Sequence, residues 1–240
     1  MKNKYKYYAV LLVLAFVSCL EEKEISLFDG HSLEGWEGDN HVFKVENGCI
    51  VGGSQEFGLE KNYYLYTTEE YSDFELSLSV KLIDTNQQGN SGVSFRANSE
   101  MDSTFRASYQ ADIGYIDPFV VAYFSNSMPA DTVNPFSLWG TLLDEGRAES
   151  SRYSHPEAFP VAILNLPERE LVDRIVIPND WNEVQVRAVG KEIEIKINGV
   201  TTTRFTESMD VTTTGVIGLQ VHAGDPFEVC FKDIIIRKLD

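Results

Sequence analysis

Regular alternation of apolar and polar side chains predicts that most of this chain forms β-strands. Residues 74–82 alternate without a break, with one apolar and one polar face. Hairpin signals separate such runs, among them Glu46-Asn47-Gly48 and Asn198-Gly199. Helical periodicity is almost absent. The pattern therefore predicts an all-β fold of two packed antiparallel sheets, with no helix longer than about three turns.

Three other strand-like runs, residues 92–97, 108–114 and 215–222, carry unusual polar residues on one face. Their apolar residues are expected to point into the core between the sheets: Val93, Phe95, Ala97, Tyr109, Ala111, Ile113, Ile217, Leu219 and Val221. If the strands share a sheet, the opposite face gathers Arg96, Gln110, Asp112, Gln220 and His222. A guanidinium, two amides, a carboxylate and an imidazole suit sugar binding or acid/base chemistry. A solvated strand face is the alternative.

The first 18 residues have the composition of a signal peptide. Lys2, Lys4 and Lys6 precede an apolar segment, residues 9–17, that is too short to span a bilayer. A small residue followed by Cys19 resembles the lipobox of bacterial lipoproteins, although the Phe at position 16 departs from that pattern and leaves plain secretion open. The sequence thus predicts lipidation at Cys19, a tether over residues 19–24, and a cell-envelope protein that contacts the membrane only through its lipid.

Net charge limits the kinds of partner that the protein can bind, and chain length limits the number of domains. The chain has a net charge of −17, and removal of residues 1–18 would lower it to −20. Nucleic acid and anionic membrane surfaces are therefore poor partners, and no nucleic acid is expected to bind. The remaining residues 25–240 fit one large all-β domain. Its two cysteines, Cys49 and Cys230, form either one disulfide or two buried thiols.

Irregular sequence interrupts the strand pattern between residues 115 and 180. Seven of the eight prolines lie there. A long insertion in a sandwich is usually a functional loop system. This one contains Trp139, Asp144, Glu145 and Arg147, a combination that is also common on solvated surfaces.

Several short motifs resemble the 3-keto-disaccharide hydrolase family, in that family's order. They cover nearly all of residues 25–240 and are Leu27-Phe28-Asp29-Gly30, Leu33-Glu34-Gly35-Trp36-Glu37-Gly38, Val45-Glu46-Asn47-Gly48, Val51-Gly52-Gly53, Tyr71 to Leu76, Asn90 to Arg96, Tyr109 to Gly114, Gly140 to Arg147, Asp180 to Glu183, and Leu219 to Leu239. The resemblance implies a concanavalin A-like jelly roll that acts on 3-keto-glycosides as a 1,2-lyase with a linked hydratase activity. Residues 115–137 exceed the family's compact loop, so the preferred leaving group is open.

The chemistry that the resemblance implies needs a base, an acid and groups that hold a sugar. A ketone at C3 acidifies the C2 proton, so a base can remove it while the oxygen on C1 leaves, and water then adds back. We assign catalysis to Asp112, Glu145 and His222, with Asp112 or His222 as the base and Glu145 as the acid. Substrate binding is assigned to Arg96, Gln110, Trp139, Asp144, Arg147 and Gln220.

Each assignment has a structural alternative. His222 could be a hydrogen-bonded structural residue, Glu145 could pair with Arg147, and Trp139 could belong to the core. The arginines could likewise be structural partners of Asp112 or Asp144. A divalent cation is a candidate cofactor because Asp112, Asp144, Glu145 and His222 offer O and N ligands, although no spacing specifies a metal. A non-catalytic carbohydrate-binding lipoprotein is the alternative function, since lectins use the same sandwich. Convergence of Asp112, Glu145 and His222 in one cleft would favour the enzyme.

Overall fold

The computed structural model describes residues 23–98, 105–125, 136–155 and 160–239. The predicted signal peptide, Cys19 and most of the tether lie outside these residues. Within the described part of the chain, no helix is both long and apolar enough to cross a membrane.

Sixteen strands and two short helices make up the described structure. The strands are β1 (Glu24–Ser26), β2 (Trp36–Gly38), β3 (Phe43–Glu46), β4 (Cys49–Ser54), β5 (Tyr63–Tyr71), β6 (Phe74–Ile83), β7 (Asn90–Ala97), β8 (Ser108–Ile116), β9 (Phe136–Ser137), β10 (Leu142–Glu145), β11 (Val161–Asn165), β12 (Trp181–Val189), β13 (Glu192–Ile197), β14 (Val200–Thr206), β15 (Gly215–Val221) and β16 (Phe227–Lys238). The helices are α1 (Pro118–Ser125) and α2 (Arg169–Ile175), and Ser150–Arg152 forms one 3₁₀ turn. Both helices are within the predicted three turns.

The strands form two antiparallel sheets packed face to face, which confirms the predicted fold class. The back sheet has the order β14-β13-β12-β6-β16-β4-β3, with β1 paired to β16. The front sheet has the order β11-β10-β8-β7-β15-β5-β2, with β9 paired to β8. The sequence assigned Glu24 to the tether. It belongs instead to β1, where it pairs with Arg237 of β16.

The core between the sheets contains nearly all the residues that the alternation predicted. Val93, Phe95, Tyr109, Ala111, Ile113, Ile217, Leu219 and Val221 are all buried in it. Burial of a large aliphatic or aromatic side chain contributes about 1.5–3 kcal/mol, so this set helps to hold the sheets together. Cys49 and Cys230 are buried as free thiols in a small separate cluster.

A β-bulge near the end of β7 makes the prediction for Arg96 and Ala97 wrong. Ser94 pairs with Gly218 and Ala97 with Val216, so β7 holds one residue more than β15 over this stretch. Arg96 occupies the bulge with a φ of 50°. Alternation is lost there, and Ala97 packs on the front face against Tyr64 and Val216 instead of entering the core.

The insertion extends the front sheet and covers part of its outer face. Two of its strands, β10 and β11, continue the sheet beyond β8. Helix α1 begins at Pro118, directly after Asp117, and proline is well suited to the first helical position because its missing N–H would have no intrahelical partner. Val121 of this helix packs with Phe136 and Leu138 in a small apolar cluster.

Candidate active site

The outer face of the front sheet forms the floor of a cleft of about 260 Å³. Side chains from both ends of the chain line it: Asn62, Asn90, Gln110, Asp112, Ile116, Val120, Val121, Leu138, Leu143, Glu145, Val161, Ile163, Gln220 and His222. Asp112, Glu145 and His222 thus converge in one cleft. Gln110 and Gln220 share it.

Strand register explains how residues distant in sequence meet on this floor. Asp112 in β8 pairs with Gly92 in β7, which pairs with Gln220 in β15. Gly92 leaves space between them, because a Cβ there would lie 2.4 Å from Cδ of Gln110 as that side chain is placed. The glycine therefore allows the Gln110 side chain to lie across β7.

The insertion supplies an apolar wall on one side of the cleft. Val120 and Val121 of α1, Leu138 before β10, and Val161 and Ile163 of β11 all line the cleft. These side chains place an apolar surface beside the polar floor. Low local polarity disfavours charged side chains and strengthens hydrogen bonds to a bound ligand.

Asp112 is a buried carboxyl whose Oδ1 atom has two donors. Nδ2 of Asn90 lies 3.1 Å from Oδ1, and the backbone N of Ile113 lies 2.7 Å from it. Burial raises the pKa of Asp112 well above its ordinary value, and the Glu145 carboxyl raises it further. The two hydrogen bonds favour the ionised form, but desolvation outweighs them, so the site favours the protonated carboxyl more than water does.

Glu145 is the second buried carboxyl of the cleft. Its Oε2 accepts a hydrogen bond from the Ser108 hydroxyl at 3.4 Å. Burial raises the pKa of Glu145 to about 7, and neighbouring Asp144 adds to the shift. Glu145 therefore changes its charge near neutral pH, which is a property of acid/base groups in enzymes.

His222 lies directly after β15, with its backbone N bonded to the carbonyl of Asn90 at 3.1 Å. Nδ1 lies 2.7 Å from the carbonyl oxygen of Ala223. Because a carbonyl can only accept, Nδ1 carries the proton in this contact, and the neutral ring has its lone pair at Nε2. Burial lowers the pKa of His222 below its ordinary value, so the neutral, basic form is favoured.

A chain of amide hydrogen bonds crosses the floor and orients both glutamines. Nε2 of Gln110 donates to Oε1 of Gln220 at 3.3 Å, and Nε2 of Gln220 donates to the Tyr64 hydroxyl at 2.8 Å. The Ser94 hydroxyl donates to Oε1 of Gln110 at 3.2 Å. Oriented amides of this kind present fixed donors and acceptors to sugar hydroxyls.

Arg96 does not lie in the cleft, in contrast to the expectation from alternation. Its guanidinium is buried at the edge of the sandwich, 3.2 Å from the Asp73 carboxylate, and donates to the carbonyls of Ser72 and Gly190. The bulge in β7 turns the side chain away from the floor. Arg96 has a structural role instead, but its acidic partner is Asp73 and not the Asp112 or Asp144 that the sequence suggested.

Asp144 and Arg147 also lie outside the cleft. Leu143 and Glu145 of β10 face the cleft, so Asp144, between them, points to the opposite side. Its carboxylate is 2.5 Å from the guanidinium of Arg152, which also binds Glu207 at 2.6 Å. Arg147 lies over the Tyr109 ring, 4.7 Å from its centre. Both residues belong to a buried structural network.

Trp139 is a core residue and does not line the cleft. Its side chain is 2% exposed and packs within the main core. It is therefore not positioned to stack on a sugar ring in this cleft.

Several residues of the cleft were not predicted from the sequence, including Asn90, Asn62 and the apolar wall. Asn90 shares the parity of Gly92 and Ser94, so the alternation that selected Gln110 and Asp112 would also have selected it. Asn62 precedes β5, and its Oδ1 accepts a hydrogen bond from the N of Ala223 at 2.9 Å. No local pattern indicates that long-range contact.

The candidate metal ligands do not form a cluster. Asp144 points away from the other three, and nowhere in the described ranges do three His, Cys, Asp or Glu side chains come together in a group that could hold a metal ion.

Comparison with solved structures identifies the fold and shows that both enzymes and binding modules use it. A Parabacteroides distasonis protein named a glycosyl hydrolase is 18% identical, with a TM-score of 0.60 over 90% of this chain and 94% of that one. Carbohydrate-binding module CBM66 from Bacillus subtilis is 13% identical, with a TM-score of 0.55 over 85% and 96%. The Bacillus licheniformis β-glucanase is 10% identical, with a TM-score of 0.51 over 90% and 97%. These similarities support the jelly-roll fold.

Sequence comparison identifies the family. Curated proteins give no significant match. The model of the 3-keto-disaccharide hydrolase family, described as a 3-keto-alpha-glucoside-1,2-lyase-like domain, matches residues 23–237. The matched range contains every strand of both sheets except the last residue of β16. The chain therefore belongs to the 3-keto-disaccharide hydrolase family and is a glycosyl hydrolase-like, carbohydrate-active domain.

Proposed function

We propose that this protein cleaves 3-keto-glycosides by elimination across C1 and C2, followed by addition of water. The observation that carries the proposal is the convergence of His222, with a basic Nε2, and two buried carboxyls in one cleft with an apolar wall. Family membership supports the same chemistry.

We assign the base to His222 because its neutral ring has a lone pair at Nε2. In the first step Nε2 takes the proton from C2, and the electrons of the C2–H bond form an enolate with the C3 ketone. The enolate collapses to a C1–C2 double bond and expels the oxygen on C1. A neutral imidazole suits this step because it can accept a proton, and histidine is the side chain that enzymes use most often for proton transfer.

We assign the acid that protonates the leaving oxygen to Asp112 rather than to Glu145. Asn90 connects Asp112 to His222, because its side chain donates to the carboxyl and its carbonyl accepts from the histidine backbone. Glu145 pairs with Ser108 in β8, four residues along the strand from Asp112. Glu145 is thus suited to hold a hydroxyl at the far side of the sugar ring.

The second step adds water to the C1–C2 double bond. Water adds its hydroxyl to C1 and its proton to C2, which restores the 3-keto sugar with a free C1 hydroxyl. The net reaction is hydrolysis, and no oxocarbenium ion is required.

Two variants test the proposal and separate the two roles. Incubation of the wild type with 3-keto-glucosides in D₂O should give turnover and deuterium at C2. His222→Gln should abolish both. Asp112→Asn should lower turnover by roughly 10²- to 10⁴-fold, the usual contribution of a general acid, while C2 exchange continues.

Other outcomes would contradict specific parts of the proposal. Loss of exchange in Asp112→Asn but not in His222→Gln would transfer the role of base to Asp112. Exchange that persists in both variants would make Glu145 the base. A wild type that binds 3-keto-glucosides without exchange or turnover would show a carbohydrate-binding protein instead of an enzyme.

We also propose that the protein is anchored in the cell envelope through a lipid on Cys19. The support is the sequence pattern of residues 1–19 alone. Sugar substrates from outside the cytoplasm would then reach the cleft directly.

A further inference from the structure

The ring of His222 is oriented by the backbone of the residue that follows it. Nδ1 of His222 donates to the carbonyl oxygen of Ala223 at 2.7 Å. A neutral imidazole has two tautomers, and the hydrogen bond that one ring nitrogen makes decides which of them is populated. The position of this carbonyl therefore keeps the proton on Nδ1 and leaves the lone pair of Nε2 for the substrate.

Two hydrogen bonds hold the backbone on either side of Ala223. The N of Ala223 donates to Oδ1 of Asn62 at 2.9 Å, and the N of Gly224 donates to the carbonyl of Leu59 at 2.9 Å. Because a peptide unit is planar, the second bond also restrains the direction of the Ala223 carbonyl. The first bond restrains the peptide unit that joins Ala223 to His222. Both peptide units that flank the Cα of Ala223 are thus held in place.

We propose that Asn62 is a positioning residue, which holds the Ala223 backbone so that the His222 ring keeps its proton on Nδ1 and presents Nε2 to the substrate. The inference rests on the proposed function of His222 as the base and adds a residue to that site. Asn62 acts through Ala223 and need not touch the reacting atoms.

The surroundings of Asn62 suit it to this role. It is half-buried, lies directly before β5 and lines the cleft. Its side chain also lies beside the Tyr64 hydroxyl, which accepts a hydrogen bond from Gln220 at 2.8 Å. An asparagine side chain ends in one oxygen and one nitrogen, so Oδ1 accepts from the N of Ala223 and Nδ2 remains to donate.

Close packing leaves the segment after His222 little room for another backbone path. Gly58 is so near to Gly224 that a Cβ at position 58 would lie 2.0 Å from the Gly224 carbonyl oxygen. Leu59 and Gly224 form an antiparallel β-bridge there, in which the N of Leu59 donates to that carbonyl at 3.2 Å. Loss of the Asn62 oxygen would release one peptide unit while this bridge remains. The expected effect is therefore confined to the position of the His222 ring.

Two substitutions of Asn62 differ in the atom on which the proposal depends. Asn62→Asp keeps an oxygen at the position of Oδ1, whereas Asn62→Leu has a similar shape and no acceptor. Asn40→Leu makes the same change at an exposed turn outside the cleft and is the matched control. Unfolding in urea checks that each variant is folded, and Asn62→Ala takes the place of Asn62→Leu if the latter does not fold.

The first measurement is the tautomer of His222 itself. Protein with ¹⁵N-labelled histidine rings gives separate NMR signals for protonated and unprotonated nitrogens, and the His222 signals are those that His222→Gln lacks. We expect the wild type and Asn62→Asp to carry the proton on Nδ1. Asn62→Leu should show a substantial population with the proton on Nε2, because the contact with the Ala223 carbonyl is no longer restrained.

The second measurement is the kinetics of methyl 3-keto-glucoside in D₂O. Each variant is compared at the plateau of its own pH profile, so that the charge added by Asn62→Asp does not enter the comparison. Deuterium exchange at C2 and kcat should fall roughly 10- to 100-fold in Asn62→Leu, since a small misplacement can cost about 10²-fold. KM should change by less than about twofold, because contacts with the sugar remain. Asn62→Asp and the control should stay within about threefold of the wild type.

Three results would overturn the inference while the proposed function stands. The first is a wild-type tautomer with wild-type rates in Asn62→Leu, and the second is an equal loss of rate in Asn62→Asp and Asn62→Leu. The third is a raised KM with unchanged kcat in Asn62→Leu, which would show that Asn62 binds the sugar directly. A wild type without exchange or turnover would refute the proposed function instead, and the ring signals would still decide whether Asn62 fixes the tautomer.

Discussion

Glu145 should make the folded protein less stable as the pH rises, and Glu145→Gln should remove this effect. Burial raises the pKa of Glu145 from 4.5 to about 7. An acid with a raised folded-state pKa binds its proton more tightly in the folded state, so its stability contribution is lost as pH rises from 4.5 to 7. Above pH 7 the folded state bears the full free-energy cost of a buried negative charge at Glu145. Gln has the same shape and no charge at any pH.

The magnitude follows from the size of the shift. At 1.36 kcal/mol per pH unit, a rise from 4.5 to about 7 corresponds to about 3 kcal/mol. Unfolding in urea at pH 4 and pH 8.5 gives the free energy of unfolding for wild type and variant. The advantage of Glu145→Gln should be about 3 kcal/mol larger at pH 8.5, equivalent to roughly 6–12 °C in Tm.

The comparison between two pH values separates the charge effect from packing. Any cost of fitting the Gln amide is the same at both, whereas the charge effect appears only at high pH. Glu69→Gln, at an exposed position in β5, is the control and should show no such dependence. If Glu145→Gln instead changed the free energy of unfolding by the same amount at both pH values, the pKa of Glu145 would not be raised. Its assignment as a titrating group of the cleft would then be wrong.

Three further predictions concern activity, stability and location. As the pH increases, kcat/KM should first rise, at pH values below 6.5, because His222, whose pKa is lowered by burial, loses its proton. At higher pH, kcat/KM should fall because the buried carboxyls ionise. A rate that increases steadily up to pH 9 would rule out a carboxylic acid as proton donor. Arg152→Ala should lower the free energy of unfolding by about 3–5 kcal/mol because it leaves Asp144 and Glu207 buried without their cation. The control Arg187→Ala breaks an exposed ion pair and should lower it by less than about 1 kcal/mol. Equal losses in the two variants would show that the buried pairing contributes little. Expression of Cys19→Ala should move the protein from the membrane fraction to the soluble fraction and abolish labelling with radioactive palmitate; a wild type that is not labelled would leave plain secretion as the explanation.

Alternation could predict which way a side chain points only where the strand is regular. It identified the floor residues Gln110, Asp112 and Gln220 because β8 and β15 are regular there. It failed at Arg96, since an extra residue in β7 reverses the parity and no local sequence signal marks the bulge.

In the insertion, the sequence did not show which residues form a strand. Asp144 and Glu145 are adjacent in sequence, and composition alone assigned both to the site. Once β10 is known to be a strand, the two must point to opposite faces, and only Glu145 reaches the cleft. The strand character of a four-residue segment among prolines was not visible in the sequence. The functional importance of the insertion was visible, because long ordered loops on a sandwich usually carry a site.

The insertion connects stability to chemistry. Its apolar residues, such as Val120 and Val161, provide the burial that favours a neutral imidazole at His222 and protonated carboxyls at Asp112 and Glu145. A solvated floor would have an imidazole and carboxylates near their ordinary pKa values, which leaves little acid at neutral pH. Burial therefore costs folding energy, raises the pKa of the two carboxyls and lowers the pKa of His222, so that a base and an acid lie in the same cleft. That combination is what the proposed elimination needs, and the insertion supplies part of it by lining the same cleft as the sheet.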